Sequence, residues 1–549
     1  MPKQSSDCQI ASSAYGLLAM TMLTFEFSVF ASAILLALSF PKFNLWWLAY
    51  IALVPALLGV KRSRSYRESA ILFLLVGFVF ALVSMEWIRH VTYFGWVYVC
   101  LVGVGCYFAV FGALAHFALH RKSFNAAFLI LPAGWTLIEW FRSELPVWAM
   151  GWNLLGYSQS EFLPVARLAS VVGVYGVSFF IIFVNVSIWF ALECYSARAH
   201  FWRAVRKLFY ASFAFLIIAL HFSQVRAPEA SRQIAVSVIQ GNIPQTEKWD
   251  PEFKAQIIET YRKLTELAAA SEPDLIVWPE AAWPGILNRE PEQKQILDIV
   301  KAAKSHLLIG SPFEEDIRNV ILNEVKDQAN SDPSAYGLRM TSRIYNSAHL
   351  LDSEGKFLKR YDKIRLVPFG EFVPFAQLFN LFGLERFAYS LGVGDFSAGK
   401  EFKVFELKNA ARFSTLICFE DTFPSLARKF ARNGAEFLTV ITNDAWFGKS
   451  AAAYQHLQAS QFRAIENGIP IIRAANTGVS AFIDAGGEVF DRVRDAKGHD
   501  TWIAGGLTRQ ISLAPAHTFY SRLGHWFPVA CLALTLSLGW FTFTCSRRT

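Results

Sequence analysis

The chain contains two patterns of hydrophobic and polar positions, and the first is a series of long apolar runs. Runs of about 20 apolar residues can cross a bilayer as helices. We predict spans at Tyr15–Phe40, Leu45–Val60, Ser69–Trp87, Tyr93–Leu119, Phe124–Phe141, Val165–Leu192, Leu208–Phe222 and Trp526–Cys545. The fold class expected for this part is a polytopic α-helical membrane domain with about eight spans.

The second pattern begins at Gln233, where short β-type runs alternate with amphipathic helices. The predicted strands are Ile234–Ile239, Asp274–Trp278, Leu307–Ile309, Arg343–Leu351, Phe357–Tyr361, Phe413–Ile417, Phe437–Thr442, Pro470–Arg473, Ser480–Asp484 and Glu488–Val493. The predicted helices are Pro251–Ala270, Glu292–Ala303, Pro424–Arg432 and Ala453–Glu466. This alternation is typical of a layered α/β domain with its own core outside the membrane.

Composition supports a membrane protein and argues against a nucleic-acid-binding one. The chain is 54% hydrophobic and only 17% charged, with a mean hydropathy of +0.31, which exceeds what a soluble globular chain shows. Its net charge is +8. The basic residues cluster at the ends of apolar segments and form no long tract, so we read the charge as membrane topology and expect no nucleic-acid partner.

The basic clusters predict the orientation of the chain in the membrane. They are Lys61, Arg62, Arg64 and Arg67; His120, Arg121 and Lys122; Arg198, Arg203, Arg206 and Lys207; and Arg547 with Arg548. All of them are cytoplasmic if the N-terminus is cytoplasmic, as the positive-inside rule requires. We therefore expect a multi-pass protein of the bacterial inner membrane. Its domains would be 1–222 with seven spans, 223–524 on the periplasmic side, and 525–549 with the last span and a cytoplasmic tail.

A loop between two predicted spans, residues 142–164, is rich in aromatic residues, among them Trp148, Trp152 and Tyr157. Aromatic side chains gather where a bilayer meets water. The loop is predicted either as an aromatic belt at that boundary or as part of an entrance for lipids.

One cysteine stands apart from the others. Of the seven cysteines, Cys8, Cys100, Cys106, Cys194, Cys531 and Cys545 lie in or beside long apolar segments, whereas Cys418 follows a short strand in the α/β part. There it has no second thiol for a disulfide or a metal site. Cys418 is thus either an inert buried thiol or a nucleophile.

Three chemically complementary side chains follow predicted strands: Glu280 in IVWPEAAWP, Lys363 in KRYDKIRLVPFGEFVP and Cys418 in LICFED. A thiol attacks poorly until it is deprotonated, and a carboxylate can serve as the base. An ammonium group can stabilise the oxyanion that attack creates. Taken singly, each could be a surface charge or a core thiol. The histidines His456, His499 and His517 are scattered and expected at the surface, so we expect no metal site and no cofactor.

These residues and several longer motifs resemble one protein family. The order of Glu280, Lys363 and Cys418 is similar to that of the nitrilase, or carbon–nitrogen hydrolase, superfamily. The fit is closer to its membrane branch, the apolipoprotein N-acyltransferases, through the following segments: QGNIPQTEKWD, LVPFGEFVP, TNDAWFGKS, FRAIENGIPIIRAANTGVSAFID and the outer loop GWNLLGYSQ. One departure is Phe419, since the residue after the nucleophile is often tyrosine in this branch.

The resemblance implies an αββα sandwich for the outer domain and specific roles for its residues. Cys418 would be the nucleophile, Glu280 the general base and Lys363 the oxyanion stabiliser. Supporting carboxylates would be Glu371 and Glu420, which position Lys363 or move protons. Pocket residues would be Trp249, Asn346, Phe419 and Trp446. Core packing is the alternative for both tryptophans, and an ordinary turn or strand position is the alternative for Asn346.

The resemblance also implies a reaction. A monomeric, membrane-embedded enzyme would transfer an acyl chain from a glycerophospholipid, through a cysteine thioester, to the N-terminal amine of the S-diacylglyceryl cysteine of an apolipoprotein. One alternative is a membrane-tethered carbon–nitrogen hydrolase (amidase) acting on small amides, although a single anchor would suffice for that activity. Another is a transporter or receptor with an outer ligand-binding domain, which would function without Cys418.

Overall fold

The computed structural model describes residues 25–120, 127–145, 150–196, 232–289, 292–316, 342–372, 396–513 and 517–546, together with the single positions 206, 210, 217, 221 and 515. Residues 25–196 with 517–546 form a helical domain. Residues 232–513 form a sandwich domain of strands and helices. The predicted span Leu208–Phe222 lies almost wholly outside the described residues.

The helical domain is built from apolar helices joined by short 3₁₀ and π segments. Its helices are α1 (Phe25–Leu38), α2 (Val54–Arg62), α3 (Tyr66–Ser84), α4 (Tyr93–Tyr98), α5 (Cys106–Leu119), α6 (Ala127–Glu144), α7 (Leu163–Ala166), α8 (Ala169–Ser196), and, after the sandwich domain, α13 (Phe519–Leu523) and α14 (Trp526–Ser546). A π-helix, Val99–Gly105, joins α4 to α5.

Three helices of the described part are long and apolar enough to cross a membrane, judged by length and composition: Tyr66–Ser84, Tyr93–Leu119 and Ala169–Tyr195. They support an α-helical membrane domain, and the count of about eight spans stays a prediction. The predicted span Leu45–Val60 is not one continuous helix. It consists of a 3₁₀ turn, Trp46–Tyr50, followed by α2. Pro55 lies in the first turn of α2. Proline is favoured there because the N–H groups of the first turn have no acceptor within the helix, so its missing N–H costs nothing.

In the described residues of the sandwich domain, twelve strands form two six-stranded sheets. The first sheet has the order β12-β1-β2-β3-β4-β5, with β1 (Arg232–Gln240), β2 (Leu275–Val277), β3 (His306–Asp316), β4 (Ser342–Leu351), β5 (Phe357–Asp362) and β12 (Gly505–Leu513). The second has the order β11-β10-β9-β8-β7-β6, with β6 (Phe405–Glu406), β7 (Arg412–Ile417), β8 (Phe437–Thr442), β9 (Ile471–Ala475), β10 (Ala481–Ile483) and β11 (Val489–Arg492).

The two sheets pack face to face, with helices on their outer sides. Val236 and Val238 of β1 share one buried apolar cluster with Leu416 of β7 and Val440 of β8. Successive strand residues point to opposite faces, so Ile239 packs instead against the outer helices α9 (Lys254–Ala269) and α10 (Glu292–Ala303). The second sheet is covered by α11 (Pro424–Arg432) and α12 (Ala452–Asn467). This is the αββα arrangement that the resemblance implied.

Helix α12 belongs to both domains. Ala464 packs in the sandwich core, whereas Phe462 and Ile465 lie in the apolar core of the helical domain. The amide of the buried Gln455 completes the junction. Its oxygen accepts hydrogen bonds from the indole N–H groups of Trp87, at 3.0 Å, and Trp152, at 2.8 Å, and its nitrogen donates to the Ser84 carbonyl oxygen at 2.7 Å.

The aromatic loop that precedes α7 also serves this junction. Trp152 and Tyr157 are both buried, and Tyr157 packs edge-on against Phe462 of α12. Trp148 lies outside the described residues. These two residues therefore do not form an exposed aromatic belt at the bilayer boundary. Their rings pack between the two domains instead.

Candidate functional site

Cys418 lies at the carboxyl end of a central strand of the second sheet. β7 pairs in parallel with β8, which pairs in parallel with β9, so the three strands end at one edge. The chain turns sharply there into the 3₁₀ segment Cys418–Thr422. Cys418 has a φ of +52°, a conformation that non-glycine residues adopt only when their surroundings enforce it.

The thiol of Cys418 is neutral at rest. Burial is the main reason that its pKa is raised above the ordinary value, and the charge of Glu280 adds to the effect, while Lys363 partly offsets it. A nucleophile in this state needs a base to remove its proton during attack.

Glu280 follows β2 at the matching edge of the first sheet, and its two oxygens face different partners. Oε1 accepts a hydrogen bond of 2.7 Å from Asn346 Nδ2 and lies 3.4 Å from Lys363 Nζ. Oε2 accepts from the backbone N–H of Asn443 at 2.9 Å. Asn443 follows β8, so a loop of the second sheet fixes a carboxylate of the first.

Lys363 follows β5, and its ammonium group is buried between two carboxylates. Its Nζ lies 2.9 Å from the Glu371 carboxylate and 3.4 Å from Glu280. Burial lowers the pKa of Lys363, but Glu371 and Glu280 outweigh it and the pKa is raised. Lys363 is therefore a fixed positive charge.

Asn346 links the two carboxylates through one amide nitrogen, which donates to Glu280 Oε1 at 2.7 Å and to Glu371 Oε1 at 2.8 Å. The side chain thus faces the site instead of making only strand contacts. Glu371 also accepts from the Val367 N–H at 2.8 Å, which closes the loop after Lys363 around it.

Glu420 is fully buried and organises the backbone on both sides of the site. Its carboxylate accepts hydrogen bonds from the Tyr361 hydroxyl and from the backbone N–H groups of Ile364, Arg365 and Ile417, at distances of 2.8 to 3.0 Å. Burial raises the pKa of Glu420 to about 7, against the effect of these hydrogen bonds. The contacts place Glu420 between the segment after Lys363 and the strand that carries Cys418.

The aromatic residues singled out from the sequence border this cluster. Trp249 is 48% exposed and Trp446 is 51% exposed, so neither packs in a core as the alternative supposed. Both lie on loops that contact Glu280, since Lys248 Nζ donates to the Glu280 carbonyl oxygen at 3.0 Å and Asn443 precedes the turn bearing Trp446. Phe419 packs against both the helical-domain core and the sandwich core.

Sequence reasoning missed two buried groups beside the cluster and misplaced a third. Lys248 is 2% exposed; burial lowers its pKa to about 8. Lys248 could have been found from the sequence, because in the segment QTEKWD it directly precedes Trp249, which was already selected as a pocket residue. Asn443 contributes a backbone N–H that no side-chain pattern reveals. His456 was expected at the surface but is fully buried, whereas His499 is exposed and His517 partly so.

The helical domain closely approaches the turn Cys418–Thr422. A Cβ atom on Gly151 would lie 2.4 Å from the carbonyl oxygen of Thr422, so only glycine fits there. The ring of the next residue, Trp152, lies 5.1 Å from that of His456, centre to centre, at an angle of 40°. The described residues contain no group of three or more His, Cys, Asp or Glu side chains that could hold a metal ion.

Comparison with known proteins covers nearly the whole chain. Residues 32–187 match the family model of the apolipoprotein N-acyltransferase N-terminal domain, and residues 235–513 match that of carbon-nitrogen hydrolase. The chain is 34% identical to an apolipoprotein N-acyltransferase of Geobacter metallireducens, over 91% of this chain and 92% of the relative. It is 31% identical to one of Chlorobaculum tepidum, over 92% and 93%.

Among solved structures, the chain resembles an amidase of the nitrilase superfamily from Nesterenkonia AN1. The TM-score is 0.35 at 17% identity, over 54% of this chain and 95% of the amidase. This likeness is too weak to add to what the family models show.

Proposed function

The chain belongs to the apolipoprotein N-acyltransferase family, and from that membership and the geometry of the site we propose a specific reaction for it. The protein transfers an acyl chain from a membrane glycerophospholipid to the N-terminal α-amine of the S-diacylglyceryl cysteine of an apolipoprotein. Transfer proceeds through a thioester on Cys418 and completes the triacylated product. The reaction is ping-pong covalent catalysis.

In the first half-reaction Cys418 attacks an ester carbonyl of the phospholipid. Glu280 takes the thiol proton as the sulfur–carbon bond forms, and the tetrahedral oxyanion is held by the ammonium group of Lys363 with a backbone N–H. The ester carbon–oxygen bond then breaks. Glu280 returns the proton to the leaving oxygen, so that a lysophospholipid departs and a thioester remains.

In the second half-reaction the acceptor's amine attacks the thioester carbon. Glu280 takes a proton from the amine, the carbon–sulfur bond breaks, and the thiolate regains a proton as the amide is released. Asn346 and Glu371 keep Glu280 and Lys363 at a fixed separation through both steps, which spares the reorganisation that a mobile site would require.

The observation that carries this proposal is the position of Phe419. The residue next to the thiol packs against the core of the helical domain as well as the sandwich core, so Cys418 lies at the joint between an apolar helical region and a hydrolase-like fold. Acyl substrates are held in the bilayer by about 0.8 kcal/mol for each buried CH₂ group. A thiol at this joint suits such substrates better than small soluble amides.

The domain assignment and topology belong to the same proposal. Residues 1–222 and 525–549 span the bacterial inner membrane, and 223–524 form the catalytic domain on the periplasmic side, with a monomer as the working unit. The distribution of basic clusters at the ends of the apolar runs supports this orientation.

The test is transfer of a labelled phospholipid acyl chain to a synthetic diacylated lipopeptide by the purified protein in detergent, with mass spectrometry of the peptide that contains Cys418. We expect an acyl adduct on that peptide and an N-acylated lipopeptide. Cys418→Ala should abolish both while the fold is kept. Cys106→Ala, which removes an exposed thiol of the helical domain, is the matched control and should retain both.

Two results would contradict the proposal. Release of ammonia from small amides, with no lipopeptide product, would assign the site to a hydrolase. Full transfer by Cys418→Ala would exclude the cysteine as nucleophile.

A further inference from the structure

A buried cluster of charged side chains, which the reaction above does not use, lies beneath the turn Cys418–Thr422. Its members are His456 of α12, Asp421 of the 3₁₀ segment after β7, Asp444 of the 3₁₀ segment after β8, and Arg473 of β9. None is more than 2% exposed. Four charges without solvent are costly to bury unless they are mutually paired, so their presence calls for a physical reason.

His456 faces only hydrogen-bond acceptors. Its Nδ1 lies 3.0 Å from Asp444 Oδ1, and its Nε2 lies 2.9 Å from Asp421 Oδ1 and 3.2 Å from the backbone carbonyl oxygen of Cys418. A neutral imidazole has one N–H, whereas acceptors on both sides require two. The geometry therefore selects the doubly protonated, positively charged ring.

The charges of the cluster balance only in that state. Arg473 bonds the other oxygens of the same two carboxylates, with 3.1 Å to Asp421 Oδ2 and 3.1 Å to Asp444 Oδ2. Two carboxylates, one guanidinium and one imidazolium sum to zero. A neutral His456 would leave one uncompensated negative charge in a dry interior, directly below Cys418.

The backbone at Cys418 needs such support. Its φ of +52° is a strained conformation for a residue with a Cβ, and the carbonyl group that His456 contacts belongs to this strained residue. The direction of the thiol relative to Glu280 depends on the same backbone. Trp152 of the helical domain closes the other side of the imidazole, with the rings 5.1 Å apart.

We propose that His456 is a positioning residue, which as an imidazolium bridges Asp421, Asp444 and the Cys418 carbonyl and so holds the thiol in the orientation required for attack. It touches neither substrate nor reacting atoms. The inference rests on the proposed function, because its effect is measured as the rate of acyl transfer to Cys418.

The titratable and charged groups that face the ring from the elements packed against it are Asp421, Asp444 and Arg473. Burial and Arg473 lower the pKa of His456, but Asp421 and Asp444 outweigh them and raise it to about 9. A group whose pKa is raised in the folded protein acts fully at lower pH and is lost as the pH rises through the raised value. The positioning effect is thus present at neutral pH and lost above about pH 9.

The experiment compares wild type, His456→Gln and a matched control, Gln458→Ala, in single-turnover acylation of Cys418 by labelled phospholipid vesicles dispersed in detergent. Gln458 is buried on the same helix and donates to Ser160 Oγ at 2.9 Å, away from the nucleophile turn. For His456→Gln we expect an acylation rate constant at pH 7 lower by about 10- to 100-fold, the size of effect that a small misplacement of a reacting group produces. The KM for phospholipid should stay within about twofold, since the ring contacts no lipid. Gln458→Ala should keep the wild-type rate constant.

The amount of acyl-enzyme formed in the single turnover distinguishes a positioning role of His456 from a role in stability alone. A purely structural role would lower that amount and the melting temperature of His456→Gln but leave the rate constant of the remaining active molecules unchanged, and that result would overturn the inference. If His456→Gln does not fold, wild type alone decides. Its acylation rate should fall between pH 8 and 10.5, with a midpoint near the His456 pKa of about 9, and a rate that stays level or rises there would overturn it. Absence of any acyl adduct on wild type would instead refute the proposed function.

Discussion

Asn346 donates a hydrogen bond of 2.7 Å to Glu280 Oε1, and the same nitrogen donates at 2.8 Å to Glu371 Oε1. Two carboxylates that would otherwise repel each other are thus joined by one neutral donor and by the ammonium group of Lys363 between them. Their separation is set by strand β4, on which Asn346 lies, and not by solvent.

Replacing this donor by a third carboxylate should shift the pH dependence of acylation. In Asn346→Asp a hydrogen-bond donor is lost and a third carboxylate lies beside those of Glu280 and Glu371. The added negative charge favours proton uptake by the carboxylate cluster, which weakens it as a base. We expect a rate at pH 7 lower by about 10²-fold or more, with partial recovery as the pH rises. The measurement is the pH–rate profile of thioester formation. An Asn346→Asp profile that overlays the wild-type profile would show that the Asn346 amide does not influence the pH dependence of acylation.

Removing the ammonium group of Lys363 should strongly lower the rate of acylation. Lys363→Met leaves the carboxylates of Glu280 and Glu371 in a buried site without the cation between them, so their charges repel, and the oxyanion loses its positive partner. We expect a loss of about 10²- to 10³-fold in the rate of acylation, the range found when one oxyanion donor is removed. Single-turnover kinetics with labelled phospholipid measure it. Lys403→Met, which alters an ion pair with the exposed Glu401, is the control and should keep the wild-type rate.

Glu420→Gln tests the buried carboxylate that holds the segments around Lys363 and Cys418. An amide group points N–H donors at the N–H and O–H donors that now surround Glu420, so at least one buried group is left without a partner. We expect a loss of about 2–4 kcal/mol in the free energy of unfolding, measured by thermal or denaturant unfolding in detergent. Unchanged stability would mean that Glu420 is already protonated in the folded protein.

Gln455→Leu tests the junction between the domains. Leucine is comparable in size to glutamine but leaves the indole N–H groups of Trp87 and Trp152 and the Ser84 carbonyl group without their partner. We expect a loss of about 2–4 kcal/mol in stability, together with a quenching or shift of tryptophan fluorescence, because two indoles change environment. Gln461→Leu, at a glutamine whose amide donates to the Gly487 and Ser160 carbonyl groups, provides the comparison on the same helix and should leave those indoles unaffected.

Strands that end in a polar break were predictable from the sequence, and this is why Glu280, Lys363 and Cys418 could be singled out. β2 and β7 are buried apolar runs, and Glu280 and Cys418 are the reactive side chains at or just beyond their ends. β5, which precedes Lys363, is more polar and more exposed. The resemblance implied only that Asn346 is a pocket residue. Its contact with both Glu280 and Glu371 was not predicted, because side-chain direction after folding depends on the pairing of β4 with β3 and β5.

Long-range contacts explain what the sequence did not predict. Strand β12 was missed because only two of its nine residues are buried and it begins with two glycines, so it lacks an apolar signal. Its place is set by antiparallel pairing with β1. Strand β3 is longer than predicted because its polar second half pairs with β4. His456 was misplaced because its partners, Asp421 and Asp444, come from distant loops that only the fold brings together.

Phe462 and Ile465 of α12, which complete the apolar core of the helical domain, limit how the sandwich domain can be produced on its own. A fragment cut to residues 232–513 would turn this face of α12 toward water, and large apolar patches of that kind promote aggregation. The fragment would also lose the indole partners of Gln455. Recombinant work on the catalytic half of this chain therefore calls for the intact polypeptide in a detergent or nanodisc.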